Sequence, residues 1–200
     1  MGWNFYNSSG ELQINDGGVS AASAVFTGNV DLGSNLLVGN AGSTGIAISA
    51  NGEVNMAAQP CVLAFNSGTD SNVTGDGTIA TVDFDTEVFD QNADFASDAF
   101  TAPVTGRYLI TAKVYLAGIT SAADELDTVI SASNRDPQYV VQLTNGLPAG
   151  QAVTISIILD MDAADTFTIT ANVQGESSDV VDIYGDGSGN RTAVSVCLLA

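Results

Sequence analysis

Apolar and polar residues alternate one by one over long stretches of this chain, and no ten-residue window repeats with the 3.6-residue period of a helix. The clearest run is Gly106 to Gly118. Tyr108, Ile110, Ala112 and Val114 fall on one face of a strand and Leu109, Thr111, Lys113 and Tyr115 on the other, because successive side chains point oppositely. Both faces carry bulk, so both are expected to be covered. Just before it, Ala102-Pro103-Val104-Thr105-Gly106 brings a proline without an amide to donate and a glycine free in φ, which suits a turn feeding a central strand.

Other strands follow from the same pattern. Thr78 to Asp90 alternates, with Val82, Phe84 and Val88 on a dry side and Asp83, Asp85 and Glu87 on a wet one. Val129 to Ser133, Tyr139 to Leu143, Ala152 to Leu159, Thr166 to Val173, Val180 to Tyr184 and Ala193 to Leu199 are divided by turns rich in Gly, Asn and Asp. Only Ser121 to Leu126 offers a turn of helix. The pattern predicts an all-β chain.

Residues 1–58 differ in texture from residues 59–200. An aromatic opening, Trp3, Phe5 and Tyr6, leads through Asn7-Ser8-Ser9-Gly10 to Leu12 and Ile14, which reads as a small hairpin. Very short pieces come next: Val30 and Leu32, Leu36 and Val38, Ile46 and Ile48, Val54 and Met56. Each offers two or three inward side chains, too few for a core, so such a segment must borrow a surface from identical copies or from a partner.

Composition narrows the function. Four Lys and Arg stand against 23 acidic residues, a formal net charge of −19, which argues against nucleic acid and against an anionic membrane surface. Eighteen of the acids are Asp, many beside Gly, Asn, Ser or Thr, where a short carboxylate bonds its own backbone in a turn. Gly2 to Asn7 has neither a basic start nor an apolar run, and the expectation is synthesis in a host cytoplasm. Cys61 and Cys197 are too few for a disulfide framework and are expected as buried free thiols.

Candidate chemistry is sparse. The chain has no histidine, hence no imidazole base for a serine or cysteine nucleophile. Asp83 and Asp85 would stand about 7 Å apart on one strand face, near the spacing of an inverting glycosidase pair, but alternation alone produces that distance. Asp160, Asp162 and Asp165, or Asp182 and Asp186 with Asn190, offer hard oxygen ligands suited to calcium. Neither group matches a calcium loop, and turn chemistry explains both. The expectation is a protein with no catalytic residues and no cofactor.

Phe100 to Gly118, together with an ending on Arg191-Thr192-Ala193-Val194-Ser195-Val196-Cys197-Leu198-Leu199-Ala200, resembles the jelly-roll domain of the tumour necrosis factor superfamily and of the globular heads of the first complement component. Gln59 to Phe65 fits that family's apolar first strand, and Leu159 to Ile169 its Asp-bearing turn before a late strand. Where the family's last strand carries Phe-Ser-Gly, this chain has Val194-Ser195-Val196. The resemblance implies a homotrimer with one sheet of each jelly roll turned to the threefold axis, and Leu109, Thr111, Lys113 and Tyr115 as axis residues. It also makes the first and last strands neighbours, so that a disulfide between Cys61 and Cys197 is geometrically conceivable.

The short pieces of residues 1–58 are similar to the stems of bacteriophage fibre and knob proteins, in which three chains pack together. That likeness implies a virion surface protein of a tailed bacteriophage. The favoured expectation is a capsid-decorating cement protein on the particle exterior, with Trp3, Phe5, Tyr6, Leu12 and Ile14 docking on the major capsid protein. A receptor-binding tail fibre is the alternative, and a cell-surface adhesin is a third reading.

Overall fold

The computed structural model describes residues 37–38, 45–143, 149–189 and 191–200. Trp3, Phe5, Tyr6, Leu12, Ile14 and Asn190 lie outside the described residues. Among the described residues sixteen strands run in chain order: β1 (Leu37–Val38), β2 (Gly45–Ile48), β3 (Val54–Asn55), β4 (Cys61–Phe65), β5 (Thr69–Thr74), β6 (Ala80–Thr81), β7 (Thr86–Asp90), β8 (Phe95–Ala96), β9 (Ala99–Thr101), β10 (Gly106–Ala117), β11 (Glu125–Ala132), β12 (Gln138–Gln142), β13 (Gly150–Met161), β14 (Thr166–Gln174), β15 (Val181–Tyr184) and β16 (Ala193–Leu198).

Strands β1 to β3 form a small three-stranded sheet, and the remainder build the jelly-roll sandwich that the alternation and the resemblance led us to expect. In the first large sheet, β13 runs along the whole of one edge of β10, Gly106 opposite Met161 through Ala117 opposite Gly150. On the other edge of β10, β16 covers Tyr108 to Lys113 and β15 covers Leu116 and Ala117. From there β16 passes to β4 and β7, while β15 passes to β5. The second large sheet runs β12, β11, β14, β9, β8, with β6 also joined to β14.

The core lies between these two sheets. Tyr108, Ile110, Ala112, Val114 and Leu116 of β10 are fully buried and meet Leu126 and Ile130 of β11 and Phe167 and Ile169 of β14 in one cluster. Phe100 stacks at 5.5 Å on Tyr108 and at 5.4 Å on Phe167, so one aromatic group joins the two sheets. The Tyr108 hydroxyl donates to the Val104 carbonyl at 2.7 Å, which satisfies the one polar atom this ring brings inside.

Three expectations change. Thr78 to Asp90 is two strands, not one, because β6 belongs to the second sheet and β7 to the first. Crossing between sheets breaks the alternation: Val82 and Phe84 are buried in the crossing, Asp83 and Asp85 sit there outside any strand, and Val88 is exposed at the register shift where Phe89 faces Leu63 and Glu87 faces Ala64. The segment from Ser121 makes a turn and then enters β11 at Glu125, with no helix. Its loop is held by the Glu176 carboxylate, which accepts from the Thr120 amide at 2.7 Å and hydroxyl at 2.8 Å. Gly106, finally, is needed for space: a Cβ there would lie 2.6 Å from the Leu198 side chain and 2.8 Å from the Ala200 carbonyl, where the end of the chain crosses β10.

Candidate interaction surface

Among the described residues, one face of β10 is fully covered and the other is half-buried or exposed. Leu109, Thr111, Lys113 and Tyr115 point away from the core, and the registers carry this open face across four further strands. Leu109 stands between Ile158 of β13 and Cys197 of β16, and Cys197 stands opposite Cys61 of β4. The next row is Ser156, Thr111, Ser195, Leu63 and Phe89, and the one beyond it Thr154, Lys113, Ala193 and Phe65. Leu109 and Ile158 are 39% and 54% exposed and Phe89 is 44% exposed, so the bulk on this face remains in solvent. Its central polar pair, the Thr111 and Ser156 hydroxyls, bond each other at 2.8 Å.

The cysteines are not free thiols. Cys61 and Cys197 form a disulfide within this open face, half-buried. The reason is register: they sit directly opposite on antiparallel strands with Cα atoms 4.2 Å apart and side chains on the same face, the close approach of a non-hydrogen-bonded pair. Two cysteines give no sign of this in the sequence until the first and last strands are known to pair.

Charge is concentrated here as well. Of the four basic residues in the chain, Arg107 and Lys113 project from β10 on this side and Arg191 borders it. The Arg191 guanidinium lies 4.8 Å from the Tyr115 ring centre and 5.4 Å from that of Tyr184, and 3.7 Å from the Asp186 carboxylate. Tyr115 can lie flat over the start of β13 because residue 150 is glycine; a Cβ there would be 2.4 Å from the Tyr115 hydroxyl.

The acidic candidates are dispersed into local bonding. Asp160 pairs with Arg135 at 2.8 Å, Asp165 accepts from the Asp162 amide at 2.9 Å, and Asp182 accepts from the Asn72 amide at 2.8 Å. Asp186 accepts from the amide and hydroxyl of Ser188 at 3.0 and 2.6 Å. Asp85 accepts from the Ser67 amide and hydroxyl at 2.9 and 2.6 Å, and these bonds hold its carboxyl below the usual range. Asp83 is pushed up, chiefly by burial and then by the nearby Asp98, Asp70 and Asp85. Asp70 is raised in the same way, by burial first and by Asp85 and Asp98 after it. Among the described residues no three acidic or sulfur side chains are placed to hold a metal ion. The corner formed by Asp70, Asp83, Asp85 and Asp98 was not legible beforehand, because β5, the crossing and the turn after β8 meet only in the fold.

No family model matches this chain, and no curated protein matches it. Solved structures do. The globular domain of zebrafish complement 1qA is similar to it at 14% identity and a TM-score of 0.51, over 71% of this chain and 98% of that one. Murine APRIL is similar at 13% identity and a TM-score of 0.49, over 70% of this chain and 99% of its own. The fold is therefore that of the complement globular head, a two-sheet antiparallel jelly roll.

Proposed function

We propose that this protein is a non-enzymatic, homotrimeric surface knob of a tailed-bacteriophage particle, decorating and stabilising the capsid. The observation that carries the assembly is the open face of the first sheet. Leu109, Ile158, Phe89 and the half-buried Leu63 and Cys61–Cys197 disulfide present apolar area around a Thr111–Ser156 pair whose hydroxyls bond each other, and the described residues leave this area uncovered. Three copies closing a ring would bury it, with Leu109, Thr111, Lys113 and Tyr115 toward the axis, in the manner the family resemblance implies. The reading as a structural module is supported by the lack of histidine and by acidic side chains already engaged in turns and ion pairs.

The attachment to a coat lattice rests on the N-terminal arm. Its described strands have two to four residues each, and Ile46, Val54 and Met56 remain exposed. Many small apolar contacts repeated over a shell would add up, at about 25 cal/mol per Å² of apolar area removed from water. The experiment is to purify particles lacking this protein and add it back. Light scattering of the free protein is expected to give three times the 20.4 kDa chain mass. Depleted particles are expected to lose their genome at lower temperature yet adsorb to cells normally. Depleted particles that are heat-stable but fail to adsorb would establish the tail-fibre alternative instead.

A further inference from the structure

A cavity of about 610 Å³ opens at the foot of the sandwich, between the β2–β3 hairpin and the turn leading into β10. Four of the molecule's exposed large apolar side chains converge on it: Ile46, Met56, Val104 and Leu199, 39%, 43%, 46% and 49% exposed. The polar groups around it are turned to one another. The Gln59 amide donates to the Leu198 carbonyl at 2.6 Å, the Asn92 amide to the Ala58 carbonyl at 2.9 Å, and the Leu199 backbone to the Arg107 carbonyl at 2.7 Å. The walls thus ask for an apolar occupant with few hydrogen-bonding needs, in a volume typical of ligand sites.

The path of the chain says which occupant is at hand. Leu37 of β1 pairs with Ile46 of β2, itself a wall of the cavity, so the 36 residues that precede β1 depart from the cavity's lip. Within them, residues 1–10 carry no charged side chain and hold Trp3, Phe5 and Tyr6. Three of the four aromatic side chains that precede β1 stand in this run, with no charge among them, which suits an apolar cavity. The 30 residues between this run and β1 reach about 100 Å at most when extended, which is length enough for the run to return to the cavity.

We propose that, in the unattached protein, the run Trp3-Asn4-Phe5-Tyr6 seats in this cavity of its own chain. The inference does not rest on the capsid reading. Trp3 is the one tryptophan of the chain, so its fluorescence reads the contact directly. The full chain is expected to show blue-shifted emission shielded from acrylamide, and Val104→Asp or Leu199→Asp, both at half-exposed positions, to shift it to the red and raise quenching several-fold with the melting temperature little changed. Trp3→Ala is expected to open the cavity to the uncharged dye Nile red, whose emission should rise and then be lost again when Val104→Asp is added. Solvent-like Trp3 emission in the unmodified chain overturns the proposal, as does shielding indifferent to both aspartates. Co-expressed Trp3→Ala and Val104→Asp chains that recover shielding would show that the arm crosses to a neighbour, which overturns the assignment to its own chain.

Discussion

The two large sheets share one core but turn different outer faces to the surroundings. On the second sheet, Glu125 of β11 accepts from Gln174 of β14 at 2.9 Å and from Gln142 of β12, while Asp127 accepts from Gln138 at 3.2 Å and the Ser131 hydroxyl donates to Asp136 at 3.0 Å. These carboxylates and amides bond one another across three strands, with the buried Asn172 Oδ1 left without a partner and Val140 exposed among them. The first sheet offers Leu109, Ile158, Leu63, Phe89 and a disulfide in the corresponding place, around the Thr111–Ser156 pair and Lys113. A polar outer face is complete in water; an apolar one is complete only against another surface. In the trimer we propose, the difference selects the first sheet as the contact.

The largest effect should come from what the sheets have in common. Phe100→Ala removes the ring between Tyr108 and Phe167 and is expected to cost about 3–5 kcal/mol, measured by denaturant unfolding. Spectroscopic probes on the two sheets should lose structure together; separate transitions would break the picture of a single shared core.

The disulfide belongs to one sheet alone. Its cysteines are separated by 136 residues in sequence, and replacing both by Ala should lower stability by about 2–4 kcal/mol in calorimetry under non-reducing conditions. An unchanged melting temperature between reduced and oxidised protein would count against the bond's structural weight.

The outer faces themselves are compared by matched charges. Leu109→Asp or Ile158→Asp, each forfeiting about 1.5–3 kcal/mol of apolar burial per copy, should turn the proposed trimer into monomers in light scattering. Val140→Asp on the second sheet should leave the mass unchanged. The opposite outcome would assign the contact to the other sheet.

The smallest effect is on pH. Burial, ahead of the nearby Glu125 charge, pushes the Asp127 carboxyl above its usual range. The folded protein then takes up this proton at a higher pH than the unfolded chain does, so stability should rise as pH falls through the raised folded value toward the ordinary carboxylate range, about 3.9, and level off below it. Asp127→Asn should be more stable than the unmodified protein at neutral pH, with the gap closing in acid. A gap that widens in acid would contradict the assigned cause.

Much of the sandwich was legible because β10, β13, β14 and β16 alternate strictly and are bounded by turn residues. Legibility failed where the chain changes sheets. Residues 82–85 alternate as well as any strand, yet they form a crossing, since pairing partners, not pattern, decide where a strand ends. The candidate interaction surface was half legible: alternation assigned Leu109, Thr111, Lys113 and Tyr115 to a common face, but Ile158, Leu63, Phe89 and the cysteines joined them only through register.

Local pattern therefore determined the all-β class, the two faces of β10, the acidic character and the absence of an imidazole. Tertiary structure alone decided that Cys61 meets Cys197, that Asp70, Asp83, Asp85 and Asp98 share a corner, and that Ile46, Met56, Val104 and Leu199 line one open cavity. Each of these joins residues far apart in the chain. Periodicity reports which way a side chain points relative to its neighbours in sequence, whereas contact across a sandwich depends on strand order and register, which are set by the packing of the whole core.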